Sequence, residues 1–175
     1  MVQGLIHIYC GDGKGKTSAA VGLAVRAAGR GEKVLFARFL KNEDSGELNV
    51  LDAILEIDVI HLDKVYGFFY RLNEEEKEEA RKTYGDLWKE ILGRISDEAY
   101  GVLVMDEFMA AWQYGLIPQE EALTFLKEKP DSLEVVLTGR DPDDRLVELA
   151  DYVSEIRKVK HPFDRGIRAR EGIEY

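Results

Sequence analysis

No part of the chain narrows its folding options as much as HIYCGDGKGKTSAA, residues 7–20. An apolar, β-branched and aromatic run ends in three alternating glycines. Gly-Lys-Thr follows, and then small residues at helical spacing. A strand that breaks into a glycine turn and re-enters a helix is the local build of a phosphate-binding loop. Gly11, Gly13 and Gly15 let the backbone curl with its N–H groups facing inward, a nest for phosphate oxygens. Lys16 can reach two phosphates, the Thr17 hydroxyl can serve a magnesium ion, and the helix after it adds its positive N-terminal end. Counting back from Gly15 puts Cys10 where the usual pattern has its first glycine.

Such a loop belongs to a parallel sheet, and the rest of the chain alternates accordingly. GLIHIYC, KVLFARFL, EIDVIHLD, YGVLVMDE, LEVVLTGR and YVSEIRKV read as strands. Between them lie helical patterns: Thr17 to about Arg30, stopped by Gly29 and Gly31, and a long helix opened by Asn73 with Glu76 three residues on, a capping box. That long helix buries Ala80, Tyr84, Leu87, Trp88, Ile91, Leu92 and Ile95. Pro118 opens another helix, and Asp141-Pro142 is expected to cap one more. Strand–helix alternation implies an α/β fold, a parallel sheet with helices on both faces. With 175 residues, no repeat and no linker, one domain over 1–175 is expected, with a basic tail from about 157.

Charge narrows the function. A net charge of −10 disfavours non-specific nucleic-acid binding, so no nucleic-acid partner is expected and phosphate must be held by a local positive pocket. One cysteine excludes an intrachain disulfide and a Cys-rich zinc site, including that of a zinc-bearing nucleoside kinase. No secretory leader or membrane-spanning run is visible, and a cytoplasmic location without membrane attachment is expected.

Two further strand ends carry chemistry, at the edge where open α/β sheets place ligands. Asp106 and Glu107 follow a buried run about ninety residues after the loop, as expected of the acidic partner that holds magnesium. Arg140, in LTGRD, can clamp a polyphosphate. Cys10 reads as a small residue at the loop entrance, and His7 and His61 as structural histidines. Tyr66, Phe68, Phe69 and Tyr70 form an aromatic cluster that can plug the core or face a flat apolar ligand. The tail from Arg157 onward carries six Lys/Arg against three acids and can meet polyphosphate, an acidic ligand or a second subunit.

Together these segments resemble the P-loop ATP:corrinoid adenosyltransferase family over nearly the whole chain. GDGKGKTSAA is similar to its G-N-G-K-G-K-T-[ST]-A-A loop, which also has a non-glycine at the position of Cys10. VLVMDE and VVLTGR are similar to its D-E and T-G-R segments. VKHPFDRGIRAREGIEY is similar to its V-K-H-x-F-x-x-G-[IV]-x-A-x-x-G-I ending, which generic nucleotide-binding proteins lack. The resemblance implies a RecA-like sheet, a homodimer, and transfer of the 5′-deoxyadenosyl group of ATP to the cobalt of a reduced cobalamin or corrinoid precursor. An electron-donating flavoprotein is the implied reductant.

By resemblance the loop, Gly11, Asp12, Gly13, Lys14, Gly15, Lys16, Thr17 and Ser18, holds the triphosphate. Arg140 lies near the nucleotide, and Thr17 with Asp106 or Glu107 holds magnesium. Lys16 stabilises the departing triphosphate. Phe68 and Tyr70 pack against the corrin where the family has the phenylalanine and tryptophan of G-F-T-W; this chain reads Gly67-Phe68-Phe69-Tyr70. Many members carry an extra segment before the first strand, whereas this chain begins almost at it. The rival readings are a conventional P-loop ATPase or small-molecule kinase, in which Glu107 acts at the γ-phosphate, and an ATP-binding regulatory module without turnover.

Overall fold

A computed structural model describes residues 3–40, 45–62, 64, 66 and 69–174. Its centre is a six-stranded sheet in the order β3-β2-β4-β5-β1-β6, in which each neighbouring pair runs parallel. The strands are β1 (Ile6–Cys10), β2 (Val34–Arg38), β3 (Ile57–Ile60), β4 (Val102–Asp106), β5 (Glu134–Thr138) and β6 (Tyr152–Glu155). The helices are α1 (Lys16–Ala28), α2 (Gly46–Leu51), α3 (Glu74–Asp97), α4 (Phe108–Gln113), α5 (Gln119–Glu128) and α6 (Asp144–Leu149).

β2 and β4 are buried along their whole length, which is why their sequences are continuous apolar runs and not alternating ones. Successive side chains still point to opposite faces. Val34 and Phe36 of β2 and Val102 and Val104 of β4 meet Ala20, Ala24 and Ala28 of α1. Small alanines let α1 lie close to the sheet. Leu35, Ala37, Leu103 and Met105 face the other way, against the Tyr84–Trp88–Ile91 stripe of α3 and against Phe108 and Trp112 of α4. The sheet therefore carries α1 and α2 on one face and the larger core on the other.

The expected strands and the capping box are present: Asn73 Oδ1 accepts from the Glu76 N–H, and Glu76 Oε2 accepts from the Asn73 N–H. Leu92 is half-buried, at the edge of the α3 stripe. One cap is corrected. The α6 N-cap is Asp143, whose Oδ1 accepts from the Arg145 N–H, and not Asp141-Pro142. Asp141 has φ +49° and belongs to the turn before it. The short helices α2 and α4 were not expected, since six residues give too little periodicity to read.

Candidate functional site

The altered first turn of the loop has a plain structural reason. Cys10 is still in β1, in register with Glu155 of β6, and its carbonyl accepts from the Ile156 N–H at 2.8 Å. A strand residue needs no glycine. The turn starts at Gly11, with φ +102°, where a Cβ would sit 2.4 Å from the Ile156 carbonyl oxygen. Gly13 is equally confined, and its N–H donates to that oxygen at 2.7 Å. Gly15, φ +118°, is the left-handed residue from which α1 departs. Burial, followed by the Glu155 carboxylate, pushes the Cys10 thiol up from its ordinary range, which suits a filler and not a nucleophile.

The loop is thus braced from below by the chain leaving β6. Asp12 Oδ1 accepts from the Lys158 N–H at 2.9 Å, which holds the Asp12 carboxyl below its usual range. The Lys16 ammonium donates to the carbonyls of Gly11 (2.7 Å) and Gly13 (2.9 Å), so it lies within the curl of the loop. Lys14 reaches out of the loop to donate to the Ile173 carbonyl at 2.7 Å. Ser18 is exposed on the first turn of α1.

Three adjacent strands bring the acidic partner to the loop. Asp106, at the end of β4, has no exposed surface. Its Oδ1 accepts from the Thr17 hydroxyl at 2.9 Å and from the Thr138 hydroxyl of β5 at 2.7 Å. The Thr138 oxygen accepts in turn from the Glu107 N–H at 2.9 Å. One carboxylate oxygen of Asp106 thus gathers the hydroxyl that opens α1 and the hydroxyl that ends β5 at the foot of the loop. An all-oxygen set of one carboxylate and one hydroxyl beside a phosphate loop suits magnesium, which takes few protein ligands and completes its shell with phosphates and water. Glu107 starts α4 in a left-handed conformation, φ 58°.

Sequence reasoning missed Thr138, whose only signal was its place as the last residue of an apolar run. It also missed Arg38. That side chain ends β2 almost wholly buried, in register with Asp106 and therefore on the same face of the sheet. Its Nη2 donates to Ser45 Oγ at 2.8 Å and lies 3.8 Å from Glu47 Oε1. Its Nε and Nη1 are buried without a hydrogen-bond partner among the described residues. Ser45 spends its hydroxyl on Arg38 and makes no side-chain cap for α2.

The loop opens into a cleft of about 980 Å³ bounded by α1, by Leu40 and α2, and by the C-terminal tail. That volume is at the large end for ligand sites, roughly 300–1,000 Å³. Lys14, Lys16, Thr17 and Ser18 form its phosphate wall. Arg140 is exposed on the turn after β5, held by the Gln113 amide, which donates to the carbonyls of Arg140 (3.0 Å) and Asp141 (2.8 Å).

The aromatic cluster divides. Tyr66 and Phe69 enter the core, Tyr66 bonding the Thr83 hydroxyl at 2.7 Å and Phe69 stacking on Tyr114 at 4.9 Å between centroids. Tyr70 is 64% exposed, with Arg71 against its ring. Phe68, the other expected corrin contact, lies outside the described residues, as does Gly67. His7 behaves as a structural histidine, bonded to Glu134 and stacked on Tyr152.

Residues 2–175 match the family model described as ATP:corrinoid adenosyltransferase BtuR/CobO/CobP. The chain is 36% identical to the corrinoid adenosyltransferase of Escherichia coli, over 99% of this chain and 86% of that protein. Identity is 35% to the corrinoid adenosyltransferase CobA of Salmonella typhimurium, with the same coverage, and 30% to the Pseudomonas aeruginosa corrinoid adenosyltransferase, over 99% and 84%. Among solved structures, EssC ATPases 2 and 3 from Geobacillus thermodenitrificans align with a TM-score of 0.50 at 17% identity, over 98% of this chain and 36% of that one. At that identity the likeness concerns the fold alone.

Proposed function

The chain belongs to the ATP:corrinoid adenosyltransferase family, and on that premise we propose how its residues divide the work of the reaction. The family activity joins the 5′-deoxyadenosyl group of ATP to a corrinoid, so this is a transferase and not a γ-phosphate hydrolase or kinase. In our reading, cobalt(I) of the reduced corrinoid attacks C5′. The cobalt–carbon bond forms as the C5′–O bond breaks, and the electron pair leaves with the intact triphosphate. Cobalt(I) is itself a strong nucleophile, so no protein base is needed. The protein must hold C5′ in line and stabilise the charge growing on the leaving group.

The loop from Gly11 to Ser18 serves the second need through its N–H groups, apart from that of Gly13, which the Ile156 carbonyl takes, and through the ammonium groups of Lys14 and Lys16, with Arg140 a further cation beside the nucleotide. Thr17 and Asp106 would hold magnesium, with Glu107 next to them, and the ion would supply added positive charge to the triphosphate. Lys16, drawn into the loop by the Gly11 and Gly13 carbonyls, is pre-placed to turn toward phosphate oxygens. Tyr70 and Phe68 would form the wall against the corrin; the exposure of Tyr70 supports its half of that role. One domain over 1–175, a homodimer, a cytoplasmic location and a flavoprotein reductant complete the reading. Among the described residues no helix is long and apolar enough to cross a membrane.

The observation that carries this reading is the Thr17–Asp106–Thr138 constellation under a glycine loop in a chain matched end to end by the family. Its test is anaerobic incubation with ATP, magnesium, cobalamin and a strong reductant. Triphosphate and a light-sensitive cobalt–carbon product are expected in equal amounts. ADP and phosphate formed without dependence on the corrinoid would sink it. Replacing Tyr70 and Phe68 by alanine should lower turnover from cob(II)alamin with a mild reductant, and unchanged turnover would remove them from the corrin wall.

A further inference from the structure

The C-terminal tail forms one wall of the cleft, and its construction is specific. After Pro162–Arg165 the chain turns at Gly166 and again at Gly172, with φ +76° and +72°. The second turn is locked by Arg170 and Glu174. Glu174 accepts from the Arg170 N–H at 2.8 Å and from its guanidinium at 3.0 and 3.1 Å, while the Glu174 N–H donates to the Arg170 carbonyl at 2.9 Å. The locked turn presents Ile173 to the cleft, and Lys14 of the loop fastens it there through the Ile173 carbonyl.

Ile173 is 55% exposed, and Val50, in the α2 wall of the same cleft, is 60% exposed. Val21 of α1 and Leu40 after β2 complete the apolar lining. Exposed branched side chains fixed on separate walls of one cleft keep apolar surface in water until a ligand covers them. The cleft has two kinds of wall: ammonium and hydroxyl groups from the loop and the first turn of α1, and, from α2 and the tail, the aliphatic Val50 and Ile173 beside the polar Glu47, His161 and Glu174. A ligand with a polyanionic end and a flat, weakly polar end matches both parts at once.

From this division we infer that the tail is part of the nucleotide site, with Ile173 and Val50 covering the purine ring of ATP while the loop holds the triphosphate. The inference rests on the reading of the loop as an ATP site. Lys14 joins the two halves, since the same side chain belongs to the phosphate wall and ties down the residue that covers the base. The basic tail therefore works through position: Arg170 holds Glu174, Lys158 holds Asp164 and Arg157 holds Glu155, so much of its charge is spent on internal ion pairs.

Calorimetric titration of the full chain with ATP and, separately, with inorganic triphosphate, both with magnesium, tests this. The wild-type chain should bind ATP more tightly than triphosphate. Ile173→Ala and Val50→Ala should each weaken ATP by about fivefold, from the aliphatic surface no longer covered by the ring, and leave triphosphate unchanged. Both positions are exposed, so unchanged thermal midpoints are expected and verify that the variants fold. Unchanged ATP affinity in both variants, or a parallel fall for triphosphate, would overturn the inference. A raised KM for cobalamin with unaltered ATP affinity would overturn it too, by assigning the wall to the corrinoid. If the wild-type chain bound neither ligand, the ATP reading itself would fail first, and the inference with it.

Discussion

Gly11→Ala and Gly15→Ala make a matched pair that measures how firmly the segment after β6 braces the loop. Both glycines have strongly positive φ, 102° and 118°, so alanine is strained at either position. That conformational cost is about 1–3 kcal/mol at each site. The surroundings differ. A Cβ on Gly15 would have no neighbour within 4 Å, whereas one on Gly11 would lie 2.4 Å from the Ile156 carbonyl oxygen and 3.0 Å from its carbon. Backbone cannot rotate aside as a side chain can, so Gly11→Ala must also displace the chain leaving β6. Overpacking of that kind adds about 1–3 kcal/mol.

Taking mid-range values, Gly15→Ala should cost about 2 kcal/mol and Gly11→Ala about 4 kcal/mol. For a chain of this size each kcal/mol lowers Tm by about 2–4 °C, giving falls of about 4–8 °C and 8–16 °C. Thermal unfolding followed by circular dichroism resolves such a difference. Equal Tm values for the two variants would refute the reasoning, because they would mean that the β6 exit does not confine the loop.

Other expectations follow from single contacts. Asp106→Asn keeps the shape and the hydrogen bonds from Thr17 and Thr138 within reach of an amide oxygen but removes the charge; adenosyl transfer should fall by about a hundredfold or more, with a near-native circular dichroism spectrum, if that charge acts on the leaving group. Asn73→Ala deletes the α3 capping box and should cost about 1 kcal/mol, read as a fall of about 2–4 °C in Tm with unchanged ATP affinity. The Arg170 guanidinium, helped by the Arg170 N–H, holds the Glu174 carboxyl down at about 2. Because that value is depressed, the turn's ionic contribution is complete above the ordinary glutamate value near 4.5, falls away progressively below it, and is gone once pH has dropped through about 2. Carboxyl carbon NMR should therefore find Glu174 still ionised at pH 4, and a midpoint near 4.5 would break the Arg170–Glu174 lock.

How much of this could be read beforehand follows the range of each interaction. The loop, the α3 capping box and the buried strands are local patterns: their chemistry lies within a few residues and survives being read in one dimension. Short helices escaped for the opposite reason, since α2 and α4 each span six residues and show less than two turns of pattern. The cap of α6 stands two residues after the expected Asp141-Pro142, because only backbone geometry distinguishes the turn at Asp141 from the helix start at Asp143. Arg38 gave no warning at all. Within VLFAR it reads as an ordinary strand end, and its burial arises from α2 lying over it.

The sequence by itself determined that this is an α/β chain with a phosphate loop, and its motifs carried the family. It also showed that Cys10 replaces a glycine, but not why. Tertiary structure decided that: Cys10 stays paired in β1, and the glycines are demanded one residue later by the Ile156 carbonyl. It decided as well that Asp106 meets Thr17 and Thr138, residues 89 and 32 positions away, and that the tail folds back to Lys14 across 159 positions. Strand order makes those meetings, and strand order comes from which buried faces pack together over the whole sheet. No local pattern encodes that sum.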